Sequence, residues 1–293
     1  MKILNWNLNQ RSSDCIKSLP PFVVKEIMQQ KADIIVLTEL GVLKDFKETV
    51  LYKTLSKKYF IETNSEKNMD GNKILIGVSK KIVNNYSGNF LFIDDEFINT
   101  PNNEVYPNYL HVDLSLRNIT LHIIGVRIRI GNGEREDYLC RKVQLKNLLS
   151  HIENQQLENV VIVGDFNNSR IMGDISKTYN DVRHLYRYDR QGNESVLYDT
   201  YNYHILKDKF ANESFKVSTP NKDSQYSFFI DNFGYKLDHI FSKGLIITEP
   251  TYSWDFTHCN HDCNCDKKPY HINYSPVPPY PDHAMLIANI ITT

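Results

Sequence analysis

Two short stretches are apolar at every position: residues 34–37 in "DIIVLTE" and residues 160–163 in "VVIVGDFNN". Neither alternates, so neither reads as a strand with one wet face, and each is short for a buried helix. Runs of this kind are strands packed on both faces. Around them lie further strands. "NYLHVDLSL" alternates cleanly, "NKILIGVSK" is mostly apolar, and "ITLHIIGVRIRIG" reads as one long strand ended by a Gly-Asn-Gly turn. "QYSFFI", "YKLDHIF", "LIITEPTYSW" and "HAMLIANII" follow. Helical spacing falls at Val23, Val24, Ile27 and Met28 after a proline pair, and at Leu145, Leu148, Leu149 and Ile152; "FKETVLYKTLSKKY" also suits a helix. Strands outnumber helices and are often adjacent in sequence. The expected α/β architecture is two mostly antiparallel, mixed sheets packed face to face, with helices on the outside and a few helical crossovers.

The chain of 293 residues shows no internal repeat or low-complexity linker and is read as a single domain, 1–293. Its formal net charge is -1, so no global positive field announces nucleic acid, although a local basic patch is compatible with it. There is no run of 18 apolar residues and no apolar signal region at the N-terminus, so no membrane insertion and a cytoplasmic location are expected. Five cysteines, an odd count, argue against a secreted disulfide framework.

Several strands end in polar side chains where turn residues would be ordinary. In "NWNLN", Asn5, Asn7 and Asn9 fall at alternate positions and so share one face of the first strand. Asparagine is disfavoured in strands, and a buried unpaired amide costs ~1–3 kcal/mol. The row is either a solvated face or the wall of a polar site. Glu39 directly follows a buried run and is either a loop residue or a ligand at a rim. Gly164 permits a bend after the second buried run, and Asp165 and Asn167 then point the same way, with Phe166 turned to the core. A plain Asp/Asn turn would give the same letters. Asp238 sits mid-strand in "YKLDHIFSK" and needs a partner or water. Asp282 and His283 open the last strand in "YPDHAMLI".

Taken in order, "NWNLN", "DIIVLTE", "VGDFNN", "KLDHIFSKG" and "PDHAML" resemble the motifs of the endonuclease/exonuclease/phosphatase superfamily of metal-dependent phosphoesterases. The resemblance runs over nearly the whole chain and implies a four-layered α/β sandwich. It implies hydrolysis of a phosphate ester by water, helped by Mg²⁺ or Mn²⁺. Glu39 matches the principal metal ligand, and Asn9 and Asp282 match positions that complete or support the metal site. Asp165 matches the residue that orients or deprotonates the attacking water. Asn7 and Asn167 match amides that position water, phosphate or Asp165. His283 matches the histidine that contacts phosphate, and Asp238 the carboxylate that pairs with it. Asn5 is read as structural, as are His111 and His239.

One departure stands out. Many members carry Tyr or His on the strand corresponding to "IIGVRIRIG", where this chain has Arg127 and Arg129 on one face. They are either a phosphate clamp, with Arg127 favoured, or a solvated edge. The resemblance implies a nuclease acting on DNA or RNA, with Tyr235 close to where the DNA-repair branch has tryptophan. A phosphatase or phosphodiesterase for a small-molecule or lipid phosphate is the alternative, and a non-catalytic binding module is a third reading. A Cys/His/Pro-rich insertion at about 255–281 precedes Asp282. Its Cys259, Cys263 and Cys265 are open to structural zinc, a disulfide, or ordinary thiols, since Cys-x3-Cys-x-Cys departs from the usual paired spacing.

Overall fold

The computed structural model describes residues 1–10, 19–41, 46–63, 73–85, 90–93, 108–116, 119–128, 135–171, 186–188, 194–196, 212, 214–220, 225–230, 233–257 and 281–292. Its strands in chain order are β1 (Lys2–Asn7), β2 (Ile34–Leu40), β3 (Tyr59–Thr63), β4 (Lys73–Ser79), β5 (Phe90–Ile93), β6 (Asn108–Ser115), β7 (Thr120–Arg127), β8 (Val160–Ile171), β9 (Tyr186–Tyr188), β10 (Glu194–Val196), β11 (Lys216–Val217), β12 (Phe228–Ile230), β13 (Phe233–Lys243), β14 (Ile246–Ser253) and β15 (Met285–Ile291). The helices are α1 (Pro21–Gln29), α2 (Val50–Leu55), α3 (Lys80–Asn85) and α4 (Arg135–Asn154).

One sheet runs β14-β15-β1-β2-β4-β3 and the other β11-β13-β8-β7-β6-β5, with β12 added beside β13. Most neighbours are antiparallel. The parallel pairs are β1 with β2 and β7 with β8. A parallel pair needs a crossover, and α1 and α4 lie in those two connections.

Three apolar layers separate the four structural ones. Ile3, Ile34, Val36 and Ile76 of the first sheet meet Val112, Ile123, Val161, Val163 and Ile240 of the second in the central layer. The opposite face of the first sheet (Leu4, Trp6, Ile35, Leu37) packs on Val23, Val24 and Ile27 of α1 and Leu51 and Leu55 of α2. The opposite face of the second (Ile124, Val126, Ile162, Phe166) packs on Leu145, Leu148, Leu149 and Ile152 of α4. The molecule is therefore a four-layered sandwich, and the two uninterrupted apolar runs are its doubly covered strands. Among the described residues, no helix is long and apolar enough to cross a membrane.

Local differences from the sequence expectation have physical causes. "FKETVLYKTLSKKY" is not one helix: Thr49 accepts a hydrogen bond from the Tyr52 amide and caps a new, short α2 behind a single 3-10 turn at Phe46–Glu48. Gly164 does not turn the chain, because β8 continues through it to Ile171. A Cβ there would lie 1.8 Å from the Val126 carbonyl oxygen, so the glycine is required by the close approach of β7. Arg129 and residues 258–280 of the insertion at about 255–281, with Cys259, Cys263 and Cys265, lie outside the described residues.

Candidate active site

Alternation brings the polar side chains into the gap between the sheets. On β1, Ile3 belongs to the central layer and Leu4 and Trp6 to the outer one, so Asn5 and Asn7 face inward. On β8 the same parity turns Asp165 inward and Phe166 outward. In the second sheet, Asp165 stands opposite Arg127 on one side and Asp238 on the other, so the three form a row across β7, β8 and β13.

Glu39 breaks parity. Its odd-numbered neighbours Ile35 and Leu37 point to the outer layer. A register irregularity between Leu37 and Leu40, with Glu39 at φ 54°, re-aims its side chain. Its carboxylate Oε1 then accepts from Arg127 Nε at 2.9 Å, with both side chains buried. Asn9 and Asn167 are also left-handed, at φ 41° and 46°. Non-glycine residues adopt this conformation at a cost, and such positions cluster at functional sites.

The hydrogen bonds fix each group. Asp165 Oδ2 accepts from Asn7 Nδ2 and Asn167 Nδ2, both at 2.9 Å, and its Oδ1 accepts from the Asn167 amide at 2.8 Å. Asn9 Nδ2 donates to Asp282 Oδ2 at 2.7 Å, while the Asn9 amide donates to Asn7 Oδ1. His283 Nδ1 lies 2.8 Å from Asp238 Oδ2. The Phe228 ring lies tilted against the His283 ring with centroids 4.9 Å apart, and the His283 carbonyl accepts from Trp6 Nε1.

Charge is crowded here. Burial pushes the Asp165 carboxyl up, Asp238 and Glu39 push it further, and His283 and Arg127 oppose them, leaving it at about 7. Burial raises Asp282 too, with Glu39 acting in the same sense against His283. For His283, burial alone would lower the imidazole, but the charge and hydrogen bond of Asp238, with Asp282 and Asp165, carry it to about 10. Fully ionised, the four carboxylates Glu39, Asp165, Asp238 and Asp282 exceed the cations Arg127 and His283 by two charges. Asp282 Oδ1 is buried without a hydrogen-bond partner among the described residues. An excess of two negative charges, oxygen donors and an orphaned carboxylate oxygen fit a hard divalent cation.

No family model and no curated protein sequence matches the chain. Solved structures do match in shape. A structure of ANGEL2, described as a 2',3'-cyclic phosphatase in complex with adenosine-2',3'-vanadate, superposes with a TM-score of 0.59 and 13% identity, covering 99% of this chain and 94% of that one. The human Nocturnin catalytic domain with bound sulfate gives 0.57 and 13%, over 100% and 93%. D. rerio TDP2 complexed with single strand DNA product gives 0.52 and 12%, over 100% and 99%. The chain shares the fold of these three structures. The site lies at the end of the sandwich where β1 and β2, and likewise β7, finish side by side.

The structure gathers Asn7, Asn9, Glu39, Arg127, Asp165, Asn167, Asp238, Asp282 and His283 at this end. It also brings in a residue read as structural. Asn5 Nδ2 donates to Asp238 Oδ1 at 3.1 Å, so this amide holds the carboxylate that faces His283. Its shared parity with Asn7 was the available signal. Ser227 went unnoticed: its hydroxyl accepts from the amides of Leu237 and Asp238, and its carbonyl from the Ala284 amide. It ties the Asp238 strand to the His283 segment, and no sequence pattern marks it. His239 lies on the other face of β13, bonded to Thr219 Oγ1 and packed near Phe166.

Proposed function

We propose that this chain is a divalent-metal-dependent phosphoesterase that hydrolyses a phosphate ester by direct attack of water, with nucleic acid as substrate. The observation that carries the reading is the Asp165 carboxylate, fixed by three hydrogen bonds within a cluster whose carboxylates, fully ionised, exceed its cations by two. A carboxylate near 7 is matched to taking a proton from water at neutral pH. Held by Asn7 and Asn167, it keeps one orientation toward the water. His283, cationic through Asp238, donates to a phosphate oxygen and opposes the charge that grows as the ester bond breaks. Asn5 keeps Asp238 aligned for that task.

Glu39 and Asp282 would hold Mg²⁺ or Mn²⁺, with Asn9 fixing the Asp282 carboxylate. The ion supplies Lewis-acid stabilisation of phosphate charge. Arg127 orients Glu39 through its Nε and adds positive charge to the phosphate side of the cleft. The nucleic-acid reading draws support from the matched folds, which include an endonuclease domain from the TRAS1 retrotransposon and the TDP2 complex with single strand DNA product. The adenosine-2',3'-vanadate complex of ANGEL2 favours a second reading, a phosphatase for nucleotide-like phosphates. A cytoplasmic setting is part of the same proposal.

A hydrolysis panel of DNA, RNA, cyclic and monophosphate nucleotides and inositol phosphates, with Mg²⁺, Mn²⁺ or chelator, tests it. Metal-dependent cleavage of a polynucleotide, lost in Asp165→Asn, is expected. Cleavage confined to small phosphates would select the second reading, and none at all would reject both.

A further inference from the structure

A second group of chemically able side chains lies at the far end of β7. His122 precedes Arg127 by five positions in the β6–β7 ladder, about 16 Å at 3.3 Å per residue. Asp113 stands directly opposite His122, and His111 is two residues earlier on β6. By parity with Tyr109 and Ile124, all three face α4 on the outer layer, whereas Arg127 faces the central gap. This group is separate from the phosphoesterase site by both distance and face.

Three ligand atoms converge. His111 Nε2 is 2.7 Å from Asp113 Oδ1, His122 Nδ1 is 2.6 Å from the same oxygen, and the two ring nitrogens are 3.3 Å apart. Ligands at ~2.0–2.1 Å around a tetrahedral zinc are separated by about 3.3 Å. The nitrogen–nitrogen edge already has that length, and the carboxylate need withdraw by only ~0.6 Å from each ring. The surroundings suit a ligand set. His111 is fully buried, and its Nδ1 faces His151 Nε2 at 3.2 Å. His151 Nδ1 in turn faces the Tyr109 hydroxyl at 3.4 Å. A hydrogen bond at the second ring nitrogen is what orients a ligating imidazole. His151 lies in the last turn of the twenty-residue α4, whose carbonyl end favours a cation. The side chains of His122 and Asp113 keep 14% and 15% exposure, which leaves a path from solvent.

We propose that His111, Asp113 and His122 bind one divalent transition-metal ion of the zinc class, with the fourth position open to water. Two imidazole ligands disfavour Mg²⁺ and Ca²⁺, which take oxygen, and suit Zn²⁺, Co²⁺ and Ni²⁺. The chain then carries two cation sites of different hardness, a carboxylate site in the cleft and an imidazole-rich clip joining β6 to β7.

The test uses the full chain with Cys259→Ser, Cys263→Ser and Cys265→Ser, stripped by chelator and returned to excess Mg²⁺ to satisfy the cleft. Titration with Co²⁺ alone should give visible absorption that saturates at one equivalent. Proton magnetic resonance of the cobalt form should show two paramagnetically shifted imidazole N–H signals, a readout that needs no ligand variant. His122→Ala and Asp113→Asn should each weaken cobalt binding by more than tenfold, and His151→Phe by ~10–100-fold through loss of orientation. Absence of stoichiometric cobalt binding would overturn the proposal. So would binding that both ligand substitutions leave unchanged, or cobalt without histidine signals.

Discussion

Asp165 and His283 are opposite cases of the same burial. For Asp165, desolvation and neighbouring carboxylates act together, so the group stays protonated to about 7. Asp165→Asn keeps an acceptor for at most two of the three donors and turns an amide N–H toward the other, yet removes a crowded charge. Hydrolysis should fall ~10²–10⁴-fold, while the metal-free variant should unfold at an equal or higher denaturant concentration than its parent. Near-parental hydrolysis by this variant would remove Asp165 from the mechanism. For His283, desolvation opposes charge, but Asp238 outweighs it and the folded value is about 10 against 6.5. A raised histidine contributes stability that is complete below 6.5 and lost as pH rises through about 10. If the imidazolium contacts phosphate, activity follows the same direction and declines on the alkaline side. Asp238→Asn should move that limb to lower pH in a pH–rate profile, whereas a histidine acting as base would lose activity as pH falls.

At the scale of elements, site geometry depends on irregular backbone. Glu39 reaches Arg127 because β2 breaks its alternation, and Arg127 reaches Glu39 because β7 packs tightly on β8 at Gly164. Gly164→Ala should therefore force these strands apart, at ~1–3 kcal/mol of stability, and reduce activity by more than the stability loss alone explains. Urea denaturation beside steady-state rates separates the two effects. Arg127→Ala leaves a buried carboxylate without its cation, and metal-free protein should lose ~3–5 kcal/mol. Arg127→Lys should recover little, since a lysine ammonium does not reproduce the directed guanidinium Nε–H. Divalent metal should narrow the deficit for Arg127→Ala, and melting curves with and without Mn²⁺ measure that.

For the whole molecule, the near-neutral net charge conceals a local gathering of carboxylates between the sheets. Chelation should lower the melting temperature, and Mg²⁺ or Mn²⁺ at ~100 times its dissociation constant should restore about 2.7 kcal/mol. Monovalent salt at equal ionic strength should not, and calorimetry distinguishes the two. Should the substrate be a polynucleotide, its affinity should fall steeply with salt, and Arg127→Ala should reduce that slope by roughly one contact.

The letters themselves determined the layered architecture. Uninterrupted apolar runs at residues 34–37 and 160–163 require cover on two faces, and the 3.6-residue spacing of Leu145, Leu148, Leu149 and Ile152 supplies part of it. They also singled out Asn7, Asp165, Asp238 and His283, because polar residues at strand ends and mid-strand are costly without partners. What they could not determine was pairing across long separations. Asn5 meets Asp238 across 233 positions, and Ser227 joins two segments with its hydroxyl on the Leu237 and Asp238 amides and its carbonyl on the Ala284 amide. The inward turn of Glu39 depends on a left-handed backbone that glutamate rarely adopts, so no propensity announces it. The meeting of His111, Asp113 and His122 likewise needs the β6–β7 register, since a slip of one residue would send one strand's side chains to the opposite face.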